Sequence, residues 1–113
     1  MVKAKLNYLG KIRMEKNSKN SDGYQKQDTL LLSEEAIANS IPELEILENE
    51  VKCSHGVTIS RINEDNLFYL KSRGLNEEQA KKEIIKGFLE PLIIKINNNS
   101  IKKEIRNVIS ERT

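Results

Sequence analysis

The chain has 113 residues, a net charge of only +2 and five aromatic side chains. Because positive and negative charges nearly cancel, a sequence-independent nucleic-acid binder, which needs a strongly basic face, is excluded. A single cysteine excludes an internal disulfide and favours a reducing compartment. Residues 1–6 lack the apolar run of a secretory signal, and no stretch approaches the roughly 20 apolar residues of a membrane span. We therefore expect a cytoplasmic protein that binds neither nucleic acid nor membrane.

The first half of the sequence is typical of short strands joined by turns. Apolar residues over Lys5–Met14 are interrupted by Gly10, which predicts two short strands around a turn or bulge at Leu9-Gly10. Residues 15–23 are polar and predict a loop that ends in an Asp22-Gly23 turn.

The next segment leaves two alternatives open. Residues 29–33 predict a buried strand, while Ser33 followed by two acidic residues could instead begin a short helix. Pro42 ends any such helix, and the alternation over residues 42–47 predicts a strand. Strands without helical crossovers favour a sandwich, a barrel or a β-solenoid, and periodicity does not choose among these.

A change of period at residue 63 predicts helices for the second half. The first helix is expected to begin at Asn63 as N-cap and to stop at Gly74, where Leu70 and Leu75 would make the hydrophobic contact of a Schellman motif.

A second helix is predicted from Asn76, which stands with Gln79 at capping-box spacing, to Ile96. Pro91 lies inside this pattern and is expected to kink or restart the helix. A last amphipathic helix is predicted over about residues 100–111.

The only cysteine and the only histidine, Cys53 and His55, lie two residues apart in the alternating stretch Val51–Ile59. An unbroken strand puts both on one face, with Cα atoms about 6.5–7 Å apart. A nucleophilic pair requires hydrogen-bond contact between them, and a structural zinc site requires four ligands. A third interpretation is a site shared with another subunit, since thiolate and imidazole both suit iron–sulfur chemistry. Spacing alone favours a fourth, in which both are core side chains.

Two segments, Pro42–Gly56 with its Cys-Ser-His-Gly and Asn63–Leu75, closely resemble the C-terminal part of the SufB/SufD family of iron–sulfur cluster assembly proteins. The Cys-Ser-His-Gly form resembles SufD more than SufB. The resemblance continues upstream through Asp22–Gln25 and Leu30–Glu34, and downstream through Asn76–Phe88. It covers most of the chain.

The resemblance implies an α+β fold. A short right-handed parallel β-helix-like segment of two or three rungs is expected over residues 1–61, followed by a helical ATPase-docking domain over residues 62–113. Members of the family are several times longer, so the chain is expected to be an excised domain, a split gene product or a truncated paralogue. Because an open solenoid end needs a cap or a partner, a homodimer through the β part is also expected.

The resemblance also implies a function: a non-catalytic scaffold subunit, or a fragment of one, that binds a SufC-type ATPase and a SufB/SufD sister subunit. His55 falls on the SufD-type histidine of the subunit interface where the cluster forms, and Cys53 is its neighbour. Both are candidate metal ligands in a site completed by another subunit. A transient iron–sulfur cluster is expected there, with no cofactor held stably by this chain alone. The candidate ATPase-docking residues are Leu67, Phe68, Arg73, Glu77, Lys81 and Phe88.

Two other functions remain as alternatives. The chain could be a small standalone metal-binding protein or enzyme that uses Cys53 and His55. It could also be a purely structural oligomer without a role in cluster assembly. No Gly-rich Walker-type loop is present, so we do not expect the chain to bind a nucleotide itself.

Overall fold

The computed structural model describes residues 3–113, and within them all the strands precede all the helices. The strands are β1 Lys5–Met14, β2 Asp22–Leu31, β3 Ile37–Ile46 and β4 Lys52–Arg61. The helices are α1 Glu64–Ser72, α2 Glu77–Ile93 and α3 Asn99–Arg112. The expected α+β class, with a helical C-terminal part, is confirmed. The chain divides into two compact units, Met1–Arg61 and Ile62–Thr113.

The strands form two parallel pairs, and each strand pairs with the second strand after it. β1 pairs with β3, with Lys5 opposite Ile37. β2 pairs with β4, with Asp22 opposite Lys52. The two registers therefore bring together residues that are 32 and 30 positions apart in the chain. Parallel strands need a long crossover, and here the intervening strand with its two turns provides it.

The two sheets meet through side chains of β1, β2 and β3. The amide Nε2 of Gln25 donates a hydrogen bond to the Tyr8 hydroxyl at 3.2 Å. The Ser40 hydroxyl donates to Oε1 of Gln27. These bonds identify the alternate positions of each strand that face the opposite sheet.

The prediction of two short strands around Leu9-Gly10 is wrong, because β1 is one uninterrupted ten-residue strand. Gly10 is buried and lies on the face toward β2. A Cβ atom at this position would come within 1.7 Å of Nε2 of Gln25. The glycine is therefore needed for close packing against Gln25 and not for a turn.

The predicted Asp22-Gly23 turn is also wrong, since both residues belong to β2. The chain reverses earlier in the same loop, where Asn17 and Asn20 adopt positive φ angles of 67° and 64°. Asparagine tolerates this left-handed conformation better than most residues. The composition of the segment predicted the loop correctly, but not the turn residues within it.

The chain does not form the alternative short helix that was expected to begin at Ser33. Residues 33–36 form a turn in which the Ala36 amide donates to the Ser33 carbonyl at 3.3 Å. β3 then begins at Ile37, earlier than the predicted strand, and includes Pro42. Proline is compatible with this strand because β3 is paired on one edge only, with β1, in the described part of the chain.

The helix starts follow the predicted capping residues. The Asn63 side chain accepts hydrogen bonds from the amides of Asp65 and Asn66, at 2.9 and 3.1 Å. Asn76 and Gln79 form the complete capping box, with bonds of 2.9 and 3.0 Å. Both predicted caps are confirmed.

The predicted stop of the first helix is confirmed as well. Gly74 has φ 100°, which places it in the left-handed region that glycine adopts without strain. The Leu75 amide donates to the Leu70 carbonyl at 3.3 Å, and the Gly74 amide donates to the Lys71 carbonyl at 3.1 Å. These are the two hydrogen bonds of a Schellman motif.

The second helix ends at Ile93, before the predicted Ile96, and contains Pro91 in its last turn. α3 follows, with Asn98 as its N-cap. The guanidinium of Arg106 in α3 pairs with the carboxylate of Glu90 in α2 through two nitrogens. This hydrogen bond lowers the pKa of Glu90.

Few side chains are fully buried in either unit. Residues at most 7% exposed include Met14 and Ala36 in the first unit, and Leu67, Ala80 and Ile93 in the second. Many apolar side chains stay exposed, among them Leu9, Ile41 and Phe68. None of the helices in residues 3–113 combines the length and the apolar character needed to cross a membrane.

Two glycines of the helical unit provide a matched test of the Schellman stop. A Cβ atom at Gly74 or at Gly87 would meet nothing within 4 Å, but only Gly74 has a positive φ. We expect Gly74→Ala to lower the free energy of unfolding by about 1–2 kcal/mol, because of the left-handed backbone. Gly87→Ala should raise it by about 0.5–1 kcal/mol, because alanine favours a helix interior.

The measurement is urea unfolding of each variant followed by helical circular dichroism. A stabilising effect of Gly74→Ala would show that the chain does not end α1 in the left-handed conformation.

Candidate functional site

β4 places Cys53 and His55 on one face, as the alternation predicts. In the parallel register Cys53 is opposite Gly23, and His55 is opposite Gln25. Gln25 makes its hydrogen bond to Tyr8 of β1. Cys53 and His55 therefore lie on the inner face of the sheet formed by β2 and β4, the face directed toward the sheet formed by β1 and β3.

The two side chains differ in exposure. Cys53 is a half-buried free thiol, and His55 is exposed. The interpretation of both as core residues is thus wrong for His55. Neither side chain makes a hydrogen bond to another described residue, so the thiol and the imidazole do not form a nucleophile–base pair here. Their arrangement instead resembles two separate donor groups presented side by side.

Apolar side chains on the inner faces of β3 and β4, which belong to the two different sheets, also remain exposed. Leu44 and Ile46 on β3 are 37% and 48% exposed, and Val57 and Ile59 on β4 are 37% and 43% exposed. Within residues 3–113, β3 and β4 each pair on one edge only. An exposed histidine beside exposed aliphatic side chains, on a strand with one unpaired edge, forms a surface suited to a protein partner.

The opposite face of β4 fixes its register on β2. Thr58 lies opposite Asp28 and donates its hydroxyl to Oδ1 of Asp28 at 2.5 Å. The ammonium of Lys26 lies 2.9 Å from the other carboxylate oxygen. The hydrogen bond from Thr58, and then the one from Lys26, lower the pKa of Asp28. Because a one-residue slip would break this contact, Asp28 and Thr58 keep His55 on the inner face.

Gly56 follows His55 and has a packing role on the outer face. A Cβ atom there would come within 2.6 Å of the Tyr24 hydroxyl. Tyr24 belongs to β2 and lies opposite Ser54. The glycine therefore allows the tyrosine to lie across β4 directly behind the candidate site.

The chain's own donors do not complete a metal site. Among residues 3–113, no group of three or more His, Cys, Asp or Glu side chains lies close enough to hold a metal ion. Cys53 and His55 offer one sulfur and one nitrogen donor, both of types that bind zinc and iron.

The candidate docking residues of the helical unit fall into two groups. Leu67 is 7% exposed and Phe88 is half-buried, so these two chiefly support the packing of the helices. Phe68 is 75% exposed, which is unusual for so large an apolar side chain. The remaining three are exposed or partly exposed charges: Arg73, Glu77 and Lys81.

Those three charges are already engaged within the helical unit. The guanidinium of Arg73 lies over the Tyr69 ring, 5.2 Å from its centroid. Lys81 pairs with Glu77 at 2.8 Å, in the favourable i,i+4 order. The hydrogen bond from Lys81 lowers the pKa of Glu77. Phe68 is therefore the candidate with the most unsatisfied apolar surface.

Sequence patterns did not identify Tyr8 and Gln25 as neighbours of the candidate site. Tyr8 and Gln25 precede His55 by three strands and two strands in the chain. The parallel register places Gln25 opposite His55, and Tyr8 is linked to the site only through its hydrogen bond with Gln25. An internal sequence repeat as long as the offset between paired strands, 32 or 30 residues, could have identified them. No such repeat is visible in the residue types, because the paired strands have different sequences.

A comparison with protein families decides the relationship of the chain. The family model for the SUF system FeS cluster assembly SufBD core domain matches residues 1–88. The chain belongs to the SufBD core family. The expectation drawn from the Cys-Ser-His-Gly segment and its flanks is confirmed. The matched region ends inside α2, so α3 lies beyond it.

Individual relatives agree with the family. The iron–sulfur cluster assembly protein SufD of Escherichia coli is 33% identical over 105 residues, covering 93% of this chain and 25% of the relative. An iron–sulfur cluster assembly SufBD family protein of Synechocystis is 37% identical over 106 residues, covering 94% and 23%. One from Pyrococcus horikoshii is 45% identical over 84 residues, covering 74% and 18%. This SufBD chain thus spans a quarter or less of these relatives.

The contact that fixes β4 predicts a specific acid sensitivity. Because folding lowers the pKa of Asp28, its carboxylate stabilises the fold above the unfolded pKa, and this contribution is lost as the pH falls through the folded pKa. We expect Asp28→Asn to be less stable than wild type at about pH 7. The two should converge as the pH falls from about 3.9, the unfolded value, through the lower pKa of the folded state, where the carboxyl group becomes protonated.

Urea unfolding at several pH values checks this prediction. Asp22→Asn is the matched control, since Asp22 lies in the same strand and makes no side-chain hydrogen bond to a described residue. A stability gap between wild type and Asp28→Asn that persists unchanged in acid would contradict the assignment.

Proposed function

We propose that this SufBD chain acts as a non-catalytic scaffold subunit, or as part of one, in iron–sulfur cluster assembly. The observation that carries the proposal is the family match over residues 1–88. The names of its relatives describe iron–sulfur cluster assembly proteins. The chain would bind a SufC-type ATPase and a SufB/SufD sister subunit.

The β unit is proposed to be the last two rungs of a right-handed parallel β-helix. The parallel pairing of each strand with the second strand after it supports this architecture. The similar sequence offsets of the two strand pairs support it as well, since successive rungs of a solenoid repeat the same path. A solenoid exposes inward-facing side chains at an open end. Leu44, Ile46, Val57 and Ile59 are exposed in this way on β3 and β4.

That exposed surface is proposed as the contact with the sister subunit, or with a second copy of this chain when the sister is absent. His55 and Cys53 would then face a site that the other subunit completes. The nascent iron–sulfur cluster is the cargo of this site and not a resident cofactor. The exposure of His55, and its place among exposed aliphatic side chains, support this role.

The helical unit is proposed to bind the ATPase, with Phe68 as the main apolar contact and the charges of Arg73, Glu77 and Lys81 around it. Buried aromatic anchors surrounded by polar residues dominate the energetics of many interfaces. The 75% exposure of Phe68 supports its use as such an anchor.

Co-expression of the chain with a SufC-type ATPase and a SufB-type subunit tests both surfaces. Phe68→Ala should weaken binding of the ATPase by about tenfold or more, because a central anchor typically contributes at least about 2 kcal/mol. It should leave the sister subunit bound. Val108→Ala in α3 is the control, since Val108 is 43% exposed and lies outside the family match.

The same experiment with His55→Ala separates binding from assembly. This variant should retain both partners but hold about tenfold less iron and sulfide after anaerobic purification, because a donor group is missing. Ser54→Ala, on the opposite face of β4, should behave as wild type. If neither partner co-purifies with the wild-type chain, or if His55→Ala keeps its full cluster content, the proposed function fails.

A further inference from the structure

Each strand of the β unit keeps one unpaired edge. Within residues 3–113, β1 pairs only with β3, and β2 pairs only with β4. We call β1 and β2 the first layer, and β3 and β4 the second layer, so that each layer contributes one strand to each sheet. An unpaired edge offers backbone N–H and C=O groups to which a further strand can add.

Both layers also expose apolar side chains at inner positions. In the first layer, Leu6 and Tyr8 of β1 are 48% and 38% exposed. An apolar cavity of about 700 Å³ is lined by the start of β1, the end of β2 and the turn that contains Leu32. In the second layer, Leu44 and Val57 are each 37% exposed. Further strands on either layer would therefore remove apolar surface from water.

The internal register shows how such strands could be added. β3 lies beside β1, and β4 beside β2, in parallel register over ten residues each. A second copy displaced by the same step would set its β1 beside β3, and its β2 beside β4, of the first copy. Pro42 removes one N–H group from β3, whereas β4 contains no proline. The edge of β4 can therefore donate along its whole length.

The charges of the outer strands distinguish this arrangement from a closed dimer. β1 carries three cations and no carboxylate, while β3 carries two carboxylates and no cation. Repetition of the register places Glu43 opposite Lys11, and Glu45 opposite Arg13, of the next copy. Pairing of β1 with β1, or of β3 with β3, would instead bring like charges together, which is unfavourable across paired strands.

We propose that copies of this chain stack head to tail, with the second layer of one copy on the first layer of the next. This contact joins two different surfaces, so it does not close after two copies and builds an open series. The proposal adds the first layer as an interaction surface. It shares the surface of β3 and β4 with the proposed function, but it does not depend on a role in cluster assembly.

Sedimentation velocity of the full chain over a wide range of concentrations tests the open series. We expect dimers, trimers and larger species to increase together with concentration. Glu43→Lys should weaken this association by about fivefold, because it replaces attraction to Lys11 of the next copy by repulsion. Glu104→Lys is the matched control, since Glu104 is exposed in α3 and undergoes the same change of charge. A wild-type chain that stays monomeric, or that stops at a dimer, would overturn the proposal.

Two proteins with one thiol each test the direction of stacking. Wild type carries Cys53 in the second layer. Gly23→Cys combined with Cys53→Ser carries its only thiol in the first layer, at the register partner of position 53. After mild oxidation of the mixture, we expect intact mass spectrometry to show a disulfide between wild type and variant.

Absence of this mixed disulfide, or disulfides between identical chains in its place, would overturn the head-to-tail register. Sedimentation of wild type decides the open series even if the variant does not fold. Neither experiment contains an ATPase or a sister subunit. Failure of the stacking is therefore distinguishable from failure of the proposed function.

Discussion

The parallel register between strands that are distant in sequence is the constraint on which the rest of the β unit depends. It places His55 opposite Gln25, Cys53 opposite Gly23 and Thr58 opposite Asp28. A shift by one residue would send every side chain of β4 to the opposite face. The hydroxyl–carboxylate bond between Thr58 and Asp28 and the fit of Tyr24 over Gly56 both oppose such a shift.

The same register explains why so much apolar surface is left uncovered. Two layers of strands bury side chains only between themselves, so the side chains of β3 and β4 that face inward have no further layer above them in residues 3–113. In a long solenoid each such layer is covered by the next, and only the terminal layers need a cap or partner. One of the two uncovered layers in residues 3–113 carries Cys53 and His55.

Local signals in the sequence predicted the helical unit well. The caps at Asn63 and Asn76 and the Schellman stop at Gly74 depend on residues within one or two turns, so the residue types alone specify them. The end of α2 was predicted too late, because the apolar stripe continues to Ile96 although the helix does not. An apolar stripe indicates which face of a helix is buried, but it does not indicate where the helix ends.

The β unit was predicted less well, because its glycines serve contacts that are distant in sequence. Gly10 suggested a turn, yet it makes room for Gln25 of the neighbouring sheet. The shared face of Cys53 and His55 followed from alternation, but the partners opposite them did not, since no visible repeat in the sequence marks the register. The family resemblance supplied what the pattern could not, namely a reason to expect His55 at an interface.

An engineered disulfide tests this register most directly, since Cys53 is the only cysteine of the chain. Gly23→Cys puts a second thiol opposite Cys53 on the same face. Paired strands lie about 4.8 Å apart, which is within the Cα–Cα distance of roughly 4.4–6.8 Å that a disulfide requires. The flexible Met14 side chain, whose Cε would lie 2.5 Å from the new Cβ, can move aside. Asp22→Cys, one residue away on the opposite face, is the control. Under mild oxidation we predict an intrachain disulfide in monomeric Gly23→Cys and free thiols in Asp22→Cys; the reverse result would contradict the register and the placement of His55 that depends on it.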